Sequence, residues 1–239
     1  MKRGRVSIAF ARTASKPHHP ALLGLTVAAA ACYPLAMNDH SKFFRPGPRE
    51  LPTTQAAEGL PRLAWTLEDF ERLIDTGILS EDDRIELIDG ELVPKSPKCN
   101  RHENIKAVLI DWFYRRLPEG WMLTAELGWR PMGDRYIEPD IVIYKAGPQP
   151  SQVPPGDVLL AIEIAASSLA YDRGLKAQIY ASLGVRDYWV IDAATLQTRV
   201  FREPGPTGYA AFSDIAADAA LVPLLLPALA LKLASLDVA

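Results

Sequence analysis

The chain contains few cysteines and few histidines, and this scarcity excludes several kinds of site. Only Cys32 and Cys99 occur among 239 residues, which is too few for a disulfide framework or a thiolate zinc site. Three of the four histidines, His18, His19 and His40, lie near the amino terminus, so we do not expect a zinc centre built on histidine. The low cysteine content fits a reducing compartment, and we expect a cytoplasmic location.

Excess positive charge is also missing from the sequence. The formal net charge is -3 and the isoelectric point is near 5.8, so no overall basic field attracts nucleic acid, although a local basic cleft stays compatible with these values. The chain is 49% hydrophobic and 23% charged, with no internal repeat. This composition is typical of one globular domain with a substantial core and additional tails.

The sequence has no apolar run long enough to span a bilayer, although Ala21–Ala31 is apolar and follows several basic residues. This pattern resembles a secretion or lipoprotein signal ending at Cys32, but no leucine precedes the small residues before that cysteine. Two interpretations remain open. The chain is either exported, or it carries an extension from an upstream start codon, with Met37 as the true start. We expect no membrane attachment.

Composition divides the chain into two parts. Residues 38–60 are rich in Pro, Arg, Gln and Thr, which is typical of a linker. From Leu63 onward, helix and strand signals alternate. We therefore predict an amino-terminal extension over residues 1–60, disordered or added by a wrong start codon, and one folded domain over residues 61–239.

Two helices are predicted from their first turns. Thr66 is a suitable N-cap for a helix over residues 66–76, because acidic residues follow it in the first turn. Asn100 and Glu103 form a pattern like a capping box for a second helix, and apolar residues recur at helical spacing over residues 100–117. A third helix is predicted over residues 172–183.

Strand signals fill most of the remaining domain. The dipeptide Asp89-Gly90 is typical of a tight turn, so the runs on either side are expected to form a hairpin. Runs rich in β-branched and aromatic residues predict further strands near residues 121–129, 136–144, 158–165, 188–191, 197–202 and 209–212. The tail, residues 221–238, contains two prolines and is expected to form a short strand or turn and one small apolar element. This order predicts an α/β fold around a mixed sheet.

Three charged residues interrupt or follow the most apolar segments. Asp140 precedes the run Ile141–Tyr144, Glu163 lies within Val158–Ile164, and Lys176 belongs to the third helix. A carboxylate in a buried strand is costly unless it is paired or coordinates a cation. Two carboxylates on neighbouring strands with an ammonium nearby therefore predict a metal site.

Each of these residues also has a plainer structural interpretation. Asp140 follows a proline and would suit an ordinary Asx turn, and Glu163 would suit a buried ion pair without chemistry. Asp172 and Lys176 are four residues apart on a helix, which is usual for a solvated ion pair. His102 lies in the first turn of a helix, where a histidine is more often a surface or capping residue.

Several short motifs follow one another in a distinctive order. They are Arg84-Ile-Glu-Leu-Ile-Asp-Gly-Glu-Leu92, Ser96-Pro97 with His102, Glu138-Pro-Asp140, Ala161-Ile-Glu163-Ile164, Ser167-Ser-Leu-Ala-Tyr-Asp172, Lys176 and Gly184-Val-Arg-Asp-Tyr-Trp-Val-Ile-Asp192. No single motif is specific, but their order and spacing resemble the Uma-type restriction endonuclease family, a bacterial group in the PD-(D/E)XK nuclease superfamily. The resemblance covers Trp65 to the carboxyl terminus.

The resemblance implies a restriction-endonuclease-like fold and a DNA endonuclease that depends on Mg²⁺ or Mn²⁺. Asp140 and Glu163 would then be metal ligands and Lys176 a catalytic residue. In the plain superfamily pattern a lysine stands two residues after the glutamate, where this chain has Ala165. The resembled family carries that lysine on the following helix, and Lys176 occupies the matching position.

The resemblance also assigns roles to three further residues. Glu86, which on its own would be an outward polar position of an alternating strand, becomes a further catalytic acid and metal ligand. His102 becomes a contact of the substrate or of the metal, and Asp172 a contact of the substrate. DNA is the expected partner. The resemblance leaves both a monomer and a homodimer as alternatives, because many nucleases of the superfamily are dimers. The alternative is a DNA-associated module with the same fold and little or no turnover, which the acidic charge balance favours.

Overall fold

The structure of this protein is a computed structural model that describes residues 53–55, 61–80 and 83–238. All of these lie in the unit of chain from Glu50 to Ala239. The apolar segment and the alternative start predicted near the amino terminus lie outside the described residues. A short strand, β1 (Thr53–Gln55), falls within the predicted linker and pairs antiparallel with β2 (Pro61–Leu63).

The first helix, α1 (Leu67–Asp75), confirms the predicted N-cap. The Thr66 side chain accepts a hydrogen bond from the Asp69 N–H, and the Asp69 carboxylate accepts one from the Thr66 N–H. This reciprocal pair is a capping box, which satisfies donors that the first helical turn leaves without partners.

The predicted hairpin is also confirmed. Strands β3 (Ile85–Ile88) and β4 (Glu91–Pro94) pair antiparallel and form a separate two-stranded sheet. Asp89 and Gly90 have φ values of 48° and 88°, and a tight hairpin turn with two positive φ angles requires such a dipeptide. An isolated bridge between Leu87 and Tyr136 connects the hairpin to the rest of the domain.

A six-stranded sheet forms the centre of the domain, with the spatial order β10-β9-β8-β7-β6-β5. Its strands are β5 (Trp121–Ala125), β6 (Ile141–Lys145), β7 (Val158–Ala165), β8 (Asp187–Asp192), β9 (Thr198–Gly205) and β10 (Gly208–Ile215). Only β7 and β8 are parallel, and the other neighbours are antiparallel. The sheet is therefore mixed, as predicted.

One face of this sheet packs against helix α2 (Asn100–Tyr114). Ile105, Leu109 and Phe113 recur every four residues and are buried in the same core as Ile141 of β6. The predicted cap was wrong, because Asn100 lies inside the helix and Cys99 is the N-cap, without a side-chain hydrogen bond.

The opposite face packs against a helical segment built from α3 (Leu169–Tyr171), a π-helical turn (Asp172–Lys176) and α4 (Ala177–Ser182). Ile179 and Tyr180 of α4 share a core with the inward residues of the sheet on this side. The sequence predicted a regular helix here. The π turn adds one residue per turn, an irregularity that occurs frequently at functional sites.

Two strands, β5 and β6, are shorter than predicted. Strand β5 ends at Ala125 because Glu126 has a φ of 51°, a left-handed conformation that extended backbone cannot contain. Beyond it, Trp129 and Ile137 form only an isolated bridge.

The tail contains a bridge between Leu221 and Leu231 and two short 3₁₀ turns, Pro227–Leu229 and Leu233–Ser235. Among the residues that the structure describes, no helix has the length and apolar character required to cross a membrane.

Candidate active site

The register of β6 and β7 brings the two predicted acids together. Ile141 is paired with Ile162 in this antiparallel ladder, so one further step along the same register sets Asp140 opposite Glu163. Residues directly opposite each other project from the same face of a sheet with neighbouring Cβ atoms. Strand β7 is buried along its whole length, so both carboxylates lie at a covered position and not at the surface.

A cavity of about 310 Å³ opens at this end of the sheet. Its polar lining includes all six residues that the sequence analysis selected, namely Glu86, His102, Asp140, Glu163, Asp172 and Lys176. None of the six is more than 6% exposed. They come from the hairpin, α2, the β6 and β7 ladder and the π turn, so the fold brings together side chains that are far apart in sequence.

Lys176 is held between two glutamates at the bottom of this cavity. Its Nζ lies 2.8 Å from Glu163 Oε1 and 3.0 Å from Glu86 Oε1. The hydroxyl of Tyr180 donates to Glu163 Oε1 at 2.9 Å, and the N–H of Glu138 donates to Glu86 Oε1 at 2.8 Å. Lys176 is 2% exposed, so the interpretation of this lysine as half of a solvated ion pair was wrong.

Burial raises the pKa of Glu163 to about 8. The positive charge of Lys176 opposes this rise, whereas the negative charges of Asp140 and Asp172 add to it. The raised pKa is therefore caused mainly by burial, and the neighbouring carboxylates add a smaller contribution. A further cation in the cavity would favour the ionised form of Glu163.

The other two members of the ion cluster keep their usual charges. Burial on its own would lower the pKa of Lys176, but Glu163 and Glu86 raise it well above its ordinary value. Burial likewise opposes ionisation of Glu86, yet Lys176 and then Lys95 hold the pKa of this carboxyl below its ordinary value. The cluster thus contains a permanent ammonium and a permanent carboxylate.

Asp140 is oriented by two donors that bind the same oxygen. The N–H of Ile164 donates to Oδ2 at 2.8 Å, and His102 Nε2 lies 2.9 Å from Oδ2. The other oxygen, Oδ1, receives neither donor. Burial opposes ionisation, but the hydrogen bond and charge of His102 and the charge of Lys95 hold the pKa of Asp140 at about 2. The carboxylate is therefore ionised at neutral pH.

His102 lies at one end of a chain of polar contacts. Its Nδ1 is 3.0 Å from Glu103 Oε1, and Lys106 Nζ donates to Glu103 at 2.8 Å and to Glu126 at 2.5 Å. Lys98 also donates to Glu126. The interpretation of His102 as a surface or capping residue was wrong, because the ring is buried and contacts the cavity carboxylate.

Asp172 is the fourth carboxylate of the cavity. The hydroxyl of Ser168 donates to its Oδ2 at 2.5 Å, and the hydroxyl of Tyr188 donates to its main-chain oxygen at 2.9 Å. Burial raises its pKa, against the opposing charge of Lys176. The charge of Asp172 adds a smaller contribution to the rise that burial causes in the pKa of Glu163.

Several residues of the site were missed by sequence reasoning. Lys95 lines the cavity and donates to Glu138, Tyr180 binds Glu163, and Tyr171 donates to Glu86 Oε2 at 3.4 Å. Tyr180 had a usable signal, because it lies four residues after Lys176 on the same helical segment. Lys95 had none, since its contact depends on the docking of the hairpin.

The donor set fits a hard divalent cation. Within the part of the chain that the structure describes, no group of three or more His, Cys, Asp or Glu side chains is arranged to hold a metal ion. Mg²⁺ does not need such a cage, since it keeps several waters and binds through one or two carboxylates together with substrate phosphate. Asp140 and Glu163 could supply that pair, because one strand register sets them at opposite positions and both line the same cavity.

Comparison with known proteins gives a match to a family and a match to a solved structure. The sequence model of Uma2, described as "Putative restriction endonuclease", matches residues 67–235, which include every site residue described above. A crystal structure described as "a putative nuclease belonging to DUF820" from Anabaena variabilis ATCC 29413 covers 71% of this chain and 96% of that chain, with a TM-score of 0.56 and 19% sequence identity. At this identity the likeness shows the fold. A search of curated proteins found no match.

Proposed function

We propose, because this chain belongs to the Uma2 family, that its buried acidic cavity hydrolyses phosphodiester bonds of DNA with the help of Mg²⁺ or Mn²⁺. The observation that carries the proposal is the convergence of Asp140, Glu163 and Lys176 around one cavity. Several ionisable groups with perturbed pKa values in one cleft are typical of an active site. The proposed reaction is endonucleolytic hydrolysis.

Asp140 and Glu163 would hold the cation. Glu86 suits this role less well than the resemblance implies, because both of its oxygens already have donors. Its Oε1 binds Lys176 and the N–H of Glu138, and its Oε2 accepts from Tyr171. We assign Glu86 to the positioning of Lys176. A divalent cation bound here lowers the pKa of a coordinated water and neutralises charge on the scissile phosphate.

The protein's own residues would orient the reacting groups. The Ile164 N–H and His102 fix one oxygen of Asp140, so the carboxylate is preorganised before the substrate arrives. Tyr180 fixes Glu163 in the same way. The Lys176 ammonium would orient the attacking water and stabilise negative charge that develops on the phosphate.

One observation favours the alternative of a DNA-associated module without turnover. Lys176 is already shared by two glutamates, and Asp140 already binds His102. An ion network with such internal pairing can persist for structural reasons alone. In that case the cavity would bind no divalent cation.

Nicking of supercoiled plasmid DNA tests the proposal. We expect purified protein to nick the plasmid with Mg²⁺ or Mn²⁺ and to stop in the presence of a chelator. Asp140→Asn and Glu163→Gln should each lower the rate by about 100-fold or more, which is the usual size of a lost preorganised charge contact. The matched control is Asp214→Asn, which removes a carboxylate from the Arg199 ion pair on the β9 and β10 hairpin and should leave nicking unchanged.

Calorimetry separates the two functions. Binding of Mn²⁺ to the wild-type protein that Glu163→Gln abolishes supports the nuclease. Equal nicking by the wild type and both cavity variants would show that the activity does not come from this cavity. The absence of both metal binding and nicking would favour the DNA-associated module without turnover.

A further inference from the structure

Lys95 is a second ammonium in the cavity, and the mechanism proposed above gives it no role. It directly follows β4, and its side chain is 9% exposed. Its Nζ donates to the main-chain oxygen of Glu138 at 2.7 Å and lies 3.3 Å from Glu138 Oε2. An ammonium has three N–H donors, so Glu138 accepts two of them and one is left for a ligand in the cavity.

Lys95, Lys98 and Lys176 line the cavity, and Lys98 contacts Glu126. Lys95 and Lys176 differ in how their charge is compensated. Lys176 is 2% exposed and lies between two carboxylates, those of Glu86 and Glu163. Lys95 contacts the single carboxylate of Glu138, which also accepts a hydrogen bond from Tyr136. The charge of Lys176 is therefore balanced within the cluster, whereas Lys95 is the cation with more charge available to an incoming anion.

Lys95 lines the same cavity as Asp140 and Glu163. It is held there by Glu138, which lies two residues before Asp140 and whose N–H donates to Glu86. Lys95 is thus near the position at which a phosphate must lie to meet Asp140 and Glu163. A phosphate that enters a cavity lined by four carboxylates needs a cation of this kind, since like charges repel strongly in a buried site.

We propose that Lys95 is a catalytic residue that binds a non-bridging oxygen of the DNA phosphate through its remaining N–H. The inference rests on the proposed function. It assigns the two lysines different tasks, with Lys176 orienting the attacking water next to Glu163 and Lys95 holding the phosphate.

Two substitutions of Lys95 test this role. Lys95→Met removes the charge and keeps a side chain of similar length, and it should lower kcat/KM for plasmid nicking by about 10- to 100-fold, the range of a lost charged hydrogen bond. Lys95→Arg keeps the charge and should recover most of the rate. The control is Lys145→Met, at the exposed far end of β6 from Asp140, which should nick as the wild type does.

A second measurement reads the phosphate contact without turnover. Binding of a short fluorescent DNA duplex is followed by anisotropy in chelator at several salt concentrations. A protein that loses one phosphate contact releases fewer counterions, so the slope of log K against log salt should become shallower by about 0.9 in Lys95→Met. An unchanged slope would overturn the inference.

The competing structural role is that Lys95 only neutralises Glu138. The double variant Lys95→Met with Glu138→Gln separates the two, because it removes both charges of the pair. We expect the double variant to remain as slow as Lys95→Met, whereas recovery of the wild-type rate and salt slope would show a structural role. The double variant also carries the test if Lys95→Met alone does not fold, as judged by thermal unfolding.

The failure of this inference is distinguishable from the failure of the proposed function. A wild type that nicks DNA while Lys95→Met nicks equally well overturns the role of Lys95 alone. A wild type that neither nicks nor binds DNA overturns both. If the wild type binds DNA without nicking it, the salt slope alone decides the role of Lys95.

Discussion

At the scale of single residues, Glu163 shows how a buried charge can be tolerated and used. The strand around it is buried on both faces, where an isolated carboxylate would be strongly destabilising. Lys176 and Tyr180 compensate part of this cost by binding the same oxygen. Burial still raises the pKa of this carboxyl to about 8, so a further cation in the cavity would favour its ionised form.

Glu163 predicts a specific dependence of stability on pH. Its pKa is about 8 in the folded protein against an ordinary value of 4.5, so the folded state holds a proton that the unfolded chain releases. The free energy of unfolding should therefore fall between about pH 4.5 and pH 8, by at most about 1.4 kcal/mol per pH unit from this group. Glu163→Gln should lack this component in urea unfolding measured across the range. Identical pH profiles for the two proteins would contradict the assignment.

Tyr180 offers a second prediction at this scale. Tyr180→Phe removes the hydroxyl that donates to Glu163 and keeps the buried ring, so it should lower the free energy of unfolding by about 1 kcal/mol and also slow nicking. Tyr209→Phe is the matched control, because its hydroxyl donates to the main-chain oxygen of Val185, outside the cavity. That variant should lose similar stability in urea unfolding and retain nicking. Equal nicking by both variants would exclude a positioning role for Tyr180.

At the scale of secondary structure elements, local signals were sufficient wherever local chemistry decides the structure. The Thr66 cap, the Asp89-Gly90 turn and strand β7 follow from short sequence patterns. The π turn and the end of β5 did not, and at both places a side chain contacts residues distant in sequence. Glu126 adopts its left-handed conformation while its side chain binds Lys106.

The residues of the site likewise divide into those that the sequence predicted and those that it did not. The six predicted residues carried a signal, either a charge in an apolar strand or a place in a family motif. Lys95 lines the cavity because the hairpin of β3 and β4 packs against the rest of the domain. A bridge between Leu87 and Tyr136 holds this hairpin in place. A contact between segments more than 40 residues apart leaves no periodic trace in sequence.

The hairpin itself predicts an effect of its turn on activity. Gly90 has a φ of 88°, so Gly90→Ala should lower the free energy of unfolding by about 1 to 2 kcal/mol. It should also slow nicking, because β3 carries Glu86 and β4 leads into Lys95. Gly133→Ala is the control, since Gly133 also has a positive φ, of 65°, with open space around it. It should be destabilised in thermal unfolding to a similar extent, but it should nick at the wild-type rate once folded.

At the scale of the whole molecule, the proposed function depends on where the charges lie and on how the fold assembles the cavity. The net charge of -3 would repel DNA, so the proposed function requires local cations at the cavity, among them Lys95 and Lys98, to attract the phosphate. The cavity residues span Glu86 to Lys176 and meet only when the hairpin, α2, the sheet and the helical segment have all packed together. Metal binding at this cavity should therefore be a property of the folded domain and contribute to its stability.

This coupling gives the last prediction. Mg²⁺ or Mn²⁺ should raise the midpoint of thermal unfolding, with a stabilisation of about 2.7 kcal/mol when the free ion is about 100 times the dissociation constant. Because Glu163 must lose its proton to bind the ion, affinity should increase by up to about tenfold per pH unit until about pH 8. Calorimetry in buffers of different ionisation enthalpy measures the released proton. Asp140→Asn and Glu163→Gln should lose the stabilisation and Asp214→Asn should keep it, whereas equal stabilisation of all three would place the ion outside this cavity.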